Sequence, residues 1–367
     1  MVQDYDVVVV GGGAMGTSAA RWLATRGRGT LLLERFEIGH GRGSSGGPTR
    51  IFRLTYEHPD HVRMARRALV EWRRLESEAG ETLLTTTAGL DLGAGGRSSA
   101  EALGAAGEAF TYLPDEAVVE RWPALRLEPG TEAFVQEDGG VCLAERTVRA
   151  QARLAVEAGA TIREGTVVER IVATGTGAEV HADGEAIRAP VLVVTAGPWA
   201  GDLLRTAGID LPLVPSLEQA TYFALEDPSA LPTVIDWTMD PPRTPYTVPD
   251  PESPGRFKVA LHMTGPSVDA DDRSFEPDPE RVRRVTEYAG RRFAPHRAEG
   301  GTDTCLYTNT PDEDFVLDRR GPVVIGSACS GHGFKFVPLI GRILADLATA
   351  QPAPIPIERF LTLRFGS

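Results

Sequence analysis

An α/β protein of two domains is expected from three features: one domain on a covered parallel sheet, and an α+β unit with an antiparallel sheet inserted between its segments. Apolar runs at 7–10 and 191–194 lack polar alternation, as in strands buried on both faces. Each run ends at glycine and passes directly into a helical pattern. From Leu211 to about Asp314 the chain is instead strand-rich and punctuated by proline, with one helix near Pro279 to Arg292.

The first strand, Tyr5 to Val10, leads into Gly11, Gly13 and Gly16, a G-x-G-x-x-G triplet. Ala14 to Thr25 follows as a helix with Ala19, Ala20, Leu23 and Ala24 turned inward. Backbone N–H groups and the positive helix end then face the place where a pyrophosphate sits. The next strand, Thr30 to Leu33, ends in Glu34, about twenty residues past the glycines, where a carboxylate accepts ribose hydroxyl bonds and disfavours a 2′-phosphate. Glycines alone also fit a structural turn, but strand, triplet, helix, strand and acid in this order define a Rossmann-like dinucleotide site. The motif leaves NAD and FAD open.

Further along, Asp60 to Ala79 is a helix by the spacing of Val62, Ala65, Leu69, Trp72 and Leu75. Residues 82–142 mix short strands and helices, Glu145 to Gly159 is a helix, and strands occupy Thr161 to Ile171. The run at 191–197 returns to the first sheet and a helix starts near Pro198. The chain closes with a strand at Pro322 to Ser327, a glycine loop at Ser330 to Gly333 and a helix from Phe334 to Ala350. Segments 1–80, 142–210 and 315–367 are assigned to the nucleotide domain, and 81–141 and 211–314 to the substrate domain. The active site is expected at their seam.

The formal charge of −13 opposes a polyanionic partner such as nucleic acid. No stretch reaches the roughly 18 apolar residues that span a bilayer, and the N-terminus lacks the basic and apolar regions of a signal peptide. Three cysteines, Cys142, Cys305 and Cys329, suit a reducing cytoplasm better than a disulfide scaffold.

Several strings are more specific than the glycine triplet. Gly43-Ser44-Ser45-Gly46-Gly47-Pro48-Thr49-Arg50-Ile51-Phe52-Arg53, Gly255 to His262, Cys305-Leu306-Tyr307-Thr308-Asn309-Thr310-Pro311-Asp312 and Ser330-Gly331-His332-Gly333-Phe334-Lys335-Phe336 stand beside stretches 5–34 and 191–200. Together they resemble the monomeric sarcosine oxidase and N-methyltryptophan oxidase branch of the D-amino-acid oxidase-like flavoproteins. The resemblance implies a Rossmann-like FAD-binding domain with an inserted antiparallel-sheet substrate domain, and FAD held by a thioether to Cys305. Read from the residues alone, Cys305 is a small buried hydrophobe, Cys329 is the rival because it lies in the glycine loop, and Cys142 is core.

The resemblance places Arg50, Lys258, His262 and Tyr246 at the catalytic centre, with Lys258 activating oxygen, and Arg53 with Lys335 on the substrate carboxylate. Alternation puts Lys258, Ala260 and His262 on one face of their strand, opposite Phe257, Val259 and Leu261. That face is either solvent or active site. The cofactor set extends from the glycines to Ala14, Met15, Arg35, Ser44, Ser45, Thr49, Val168, Ala196, Gly197, Trp199, Gly331, His332, Gly333 and Phe334. One departure is Gly46, where the family often has histidine; it removes a donor and bulk, and points to a larger or cyclic amino acid. Trp237 and Met239 are candidates to line such a space, against the plainer reading of both as core.

The expected reaction is oxidation of the C–N bond of a small carboxylate-bearing amine to an imine, with O2 reduced to H2O2. The alternatives are a pipecolate- or proline-like ring as substrate, an NAD-linked dehydrogenase, and a flavin-binding assembly subunit. A monomer with no nucleic-acid or membrane partner and no metal is expected.

Overall fold

The computed structural model describes residues 5–239 and 244–366. Its first layer is a six-stranded sheet, in spatial order Val316–Arg320, Val323–Ser327, Val191–Val194, Val7–Val10, Thr30–Leu33 and Thr161–Arg163. All neighbours are parallel except the hairpin formed by the first two. Strand periodicity divides the core: Val7 and Val9 pack with helices Ala14–Thr25, Ala144–Glu157 and Val337–Ala348, whereas Val8 and Val10 pack toward the three-stranded sheet of residues 168–189. Each of these fully buried valines contributes roughly 1.5–3 kcal/mol.

The first and last helices touch closely. Gly341 has no room for a side chain, because a Cβ there would lie 2.0 Å from Ser18 Oγ. The same contact lets Ser18 Oγ donate to the Val337 carbonyl at 3.0 Å and Trp22 Nε1 to the Pro338 carbonyl at 3.1 Å. The terminal helix is shorter than the periodicity predicts. Phe334–Phe336 form a single 3₁₀ turn, and the α-helix begins at Val337, with Pro338 in its first turn, where a missing N–H costs nothing.

The second large sheet has eight strands, in order His296–Asn309, Val214–Leu225, Arg256–Leu261, Pro245–Pro249, Thr233–Asp236, Gly89–Leu92, Ala133–Gln136 and Thr111–Leu113. It is antiparallel except where Thr233–Asp236 runs parallel to Gly89–Leu92. Helix Pro279–Arg292 packs on one face with Phe257, Val259 and Leu261. A small sheet of Thr49–Phe52, Gly140–Leu143 and Leu84–Thr86 joins chain from both sides of the boundaries expected at 80 and 141. Among the described residues no helix is long and apolar enough to cross a membrane.

Candidate active site

A groove of about 440 Å³ opens at the carboxyl ends of the parallel strands. Its floor is backbone. Gly11 sits at φ +99°, where a Cβ would meet the Thr195 carbonyl at 2.5 Å, and a Cβ on Gly16 would lie 1.8 Å from the Gly11 carbonyl. Gly16 therefore packs turn against helix rather than facing the groove. The Ala14 N–H, at the helix start, is met by Ser45 Oγ at 3.0 Å. Glu34 accepts from the Gly12 N–H at 2.6 Å and the Phe36 N–H at 2.8 Å. Burial pushes its carboxyl upward, but hydrogen bonds from His40 and these amides outweigh that and hold it below the usual carboxylate range.

At the far end, Asp271, which the sequence reading does not single out, pairs with the expected Arg35 at 2.5 Å and accepts from the expected Trp199 Nε1 at 2.8 Å, closing a wall. Met15, Ser44, Val168, Ala196, Gly197, Gly331, Gly333 and Phe334 also line the groove. Thr49 does not; its carbonyl accepts from Arg50 and Lys258. Cys329 faces the groove and Cys305 the neighbouring cavity.

That cavity measures about 780 Å³ and shares Arg50, Tyr307, Gly331 and Phe334 with the groove. One wall is the eight-stranded sheet, whose register sets Tyr222, Lys258 and Val248 side by side, with Ala220, Ala260 and Tyr246 in the next row. The Lys258 face is thus the cavity wall and not solvent. On the adjoining edge strand, Asp303, Cys305 and Tyr307 alternate toward the cavity. Gly331, at φ +72°, lies beneath the rings of Tyr307 and His262, and a Cβ would meet them at 2.3 and 2.7 Å.

The charged groups are unusually confined. Lys258 is buried and donates to the Thr49 carbonyl at 2.5 Å; burial, then Arg50, lowers its ammonium to about 7. Arg50 spends its terminal nitrogens on the carbonyls of Thr49, Ser44 and Gly46, so it laces the loop while lining both spaces. Burial, then Arg53 and Lys335, lowers His262 to about 4, leaving a neutral ring. Tyr246 is pushed up to about 12 by burial, with its hydroxyl 3.4 Å from that of Tyr307. Burial likewise raises the Cys305 thiol, while Arg50 and Lys258 pull it down.

Across the cavity, Lys335 donates to the Tyr56 hydroxyl at 2.9 Å and the His332 carbonyl at 2.7 Å, and Arg53 donates to the Thr55 carbonyl at 2.6 Å while covering the Tyr56 ring. Among the described residues neither cation has a carboxylate in ion-pair range. Burial, then Arg53, drives the Lys335 ammonium well below its usual value. Asp91 feels the Arg53 charge, but burial raises its carboxyl, and two donors on one cavity without an ion-paired carboxylate match a small carboxylate.

Two expectations about shape change. Gly46 leaves no open space, because a Cβ there would strike Gly41 Cα at 2.6 Å; backbone fills the volume that a histidine would need. Trp237 does line the cavity, with Nε1 donating to Asp91 at 3.0 Å, but Met239 packs on the second core. Tyr56 and Asp303 have no local signal beyond lying at or beside the recognised strings, and Tyr222 lies outside all of them.

A glycine cradle opening on a cavity with buried cations defines a dinucleotide-dependent oxidoreductase, and the cradle fits FAD. The chain belongs to the FAD dependent oxidoreductase family, whose model matches residues 6–347. It is 33% identical to the peroxisomal sarcosine oxidase of Mus musculus over 98% of this chain and 97% of that protein. It is 32% identical to the monomeric sarcosine oxidase of Arthrobacter sp. (strain TE1826), over 98% and 96%. Among solved structures it resembles NikD, an unusual amino acid oxidase essential for nikkomycin biosynthesis, with a TM-score of 0.90, 28% identity and 98% coverage of both chains.

Proposed function

We propose that this protein oxidises the C–N bond of a small secondary amino acid, N-methylated or cyclic, to an imine, with O2 as electron acceptor and H2O2 as product. The observation that carries this reading is the pair Arg53 and Lys335, the first half-buried and the second buried, both lining the cavity beside the dinucleotide groove and neither ion-paired with a carboxylate among the described residues. They hold the substrate carboxylate and thereby aim the amine at the seam between groove and cavity. FAD, when bound, supplies the two-electron acceptor. Gly11, Gly13, Ala14 and Ser45 cradle its pyrophosphate, and Glu34 receives its ribose.

Lys258 acts in the second half of the reaction, where a fixed cation stabilises negative charge developing on oxygen. Tyr246, His262 and Tyr307 shape the wall against which the amine rests. Cys305 is the attachment point for the flavin; burial raises its thiol, and Arg50 and Lys258 oppose that rise only in part. Its three cysteines and net charge fit a monomer in a reducing compartment such as the cytoplasm. The mouse and Arthrobacter relatives favour an N-methyl substrate, and the likeness to NikD, an unusual amino acid oxidase, favours keeping other amino acids in the same screen.

The test is a peroxide-coupled screen of N-methyl and cyclic amino acids, together with acid denaturation of the protein. Peroxide from secondary but not primary amino acids is expected, with yellow absorbance retained on the Cys305 peptide. Release of all yellow colour sinks the thioether, and absence of peroxide with every carboxylate-bearing amine sinks the oxidase reading.

A further inference from the structure

The hydrogen bonds leading away from Lys335 have directions that chemistry fixes. His332 Nε2 lies 3.0 Å from the Glu313 carbonyl, which only accepts, so Nε2 carries the ring proton. Burial, then Lys335, keeps the ring neutral, leaving Nδ1 as an acceptor. The Tyr56 hydroxyl, 3.1 Å away, must then donate to Nδ1, and its oxygen is free to accept from Lys335 Nζ at 2.9 Å. The chain of donors therefore runs Lys335, Tyr56, His332, Glu313. Its inner end is buried and Glu313 is exposed. Glu313 occupies the left-handed region at φ +60°, a costly conformation for glutamate that accompanies this carbonyl contact. The His332 ring is further fixed by stacking on Phe315 at 4.7 Å.

We propose that Lys335, Tyr56 and His332 form the exit path for the proton that a zwitterionic amino-acid substrate must lose before its C–N bond is oxidised. The proposal rests on the functional reading above. The substrate's N–H proton passes to Lys335 Nζ. One Nζ proton passes to the Tyr56 oxygen as the phenol proton moves to His332 Nδ1, and the Nε2 proton leaves to water beside Glu313. Every N–H or O–H bond broken is matched by one formed, no electron moves, and one proton reaches solvent. Reorientation of the ring and hydroxyl resets the path between turnovers.

The surroundings favour the inward step. Arg53 covers the Tyr56 ring and pushes the Lys335 proton away, and His262 faces both Lys335 and His332 as a neutral ring. His61 stacks on Tyr56 from helix Pro59–Ala79, and its Nε2 lies 3.3 Å from Asp314, which also holds Arg359 at 2.7 Å. Cys142 lies behind Lys335, with its thiol kept protonated by burial. No carboxylate among the described residues touches Lys335, so the proton has no nearer resting place.

Two variants of the flavin-loaded enzyme test the path: Tyr56→Phe interrupts it, and His332→Gln offers hydrogen bonds at both ends but passes no proton between them. Anaerobic bleaching of the flavin by an N-methyl amino acid should slow on the order of 10²-fold near neutral pH. It should converge on wild type at about pH 10, where more of the amine arrives already deprotonated. A second readout needs no turnover. Propionate, a carboxylate without an amine, should draw about one proton from an indicator dye as Lys335 becomes charged, and in both variants that uptake should lag the change in flavin absorbance.

A loss uniform across pH, or an uptake phase unchanged in both variants, would reduce Tyr56 and His332 to packing and overturn the proposal. So would propionate binding to wild type with no proton uptake. If no amino acid bleaches the flavin while propionate uptake persists and lags in the variants, the functional reading fails and the path stands.

Discussion

The groove and the cavity are neighbours built by opposite means. The groove takes its floor from contiguous main chain, with Gly11, Gly13 and Gly16 shaping a turn that admits no Cβ at two of its positions. The cavity is made of side chains from the small sheet, the eight-stranded sheet and the terminal glycine loop, and its charges are held by a few hydrogen bonds each, as Lys258 is by the Thr49 carbonyl and Lys335 by Tyr56 and the His332 carbonyl. A backbone site tolerates little change in shape. A side-chain site tolerates shape changes but responds sharply to charge.

The largest effect should follow Gly16→Ala, because the added Cβ meets main chain at 1.8 Å. A loss of about 3 kcal/mol or more and a colourless protein are expected, read by thermal unfolding and visible absorbance. Retention of flavin by this variant would break the contrast. Lys258→Met should leave anaerobic flavin reduction close to wild type and slow reoxidation by O2 roughly 10²- to 10³-fold. The pH dependence has a definite sign. Lys258 is an ammonium below about 7 and neutral above it, so in the wild type reoxidation should decline as pH rises through that value, and the variant should lack this inflection.

Arg53→Met removes one charged hydrogen bond from the carboxylate and should lower kcat/KM about 10- to 100-fold, with propionate affinity falling in parallel. Cys305→Ser should retain FAD but release it on acid precipitation, which moves the yellow colour to the supernatant. The smallest effect belongs to Trp237→Phe. It deprives Asp91 of one donor but leaves the 2.9 Å bond from Thr55 Oγ1, so KM should change by less than about tenfold and kcat hardly at all.

The same contrast explains what could be read in the sequence. Helices Ala14–Thr25 and Pro279–Arg292 and strand Thr30–Leu33 lie where their periodicity and bounding residues put them, because both signals are local; the first strand, expected from Tyr5, begins at Val7. The terminal helix was anticipated three residues early because the 3₁₀ turn at Phe334–Phe336 shares its apolar spacing. Lys258 could be assigned to a face but not to an environment, since only pairing with Tyr222 and Val248 across the sheet shows what that face meets. Tyr56 is harder still: its partners are 276 and 279 residues away, and no spacing rule reaches that far. Gly46 was read as lost bulk because nothing in the string reveals that Gly41 fills the gap.

Arg53 and Lys335 also bear on how the protein behaves in a test tube. A folded state that sets Lys335 against the charge of Arg53 gains from any small monoanion, whatever its chemistry, by RT ln(1 + [L]/Kd). Acetate, formate or propionate in a storage buffer should therefore raise the melting temperature while competing with substrate. An assay in acetate would record a sturdier and slower enzyme than one in a bulky zwitterionic buffer.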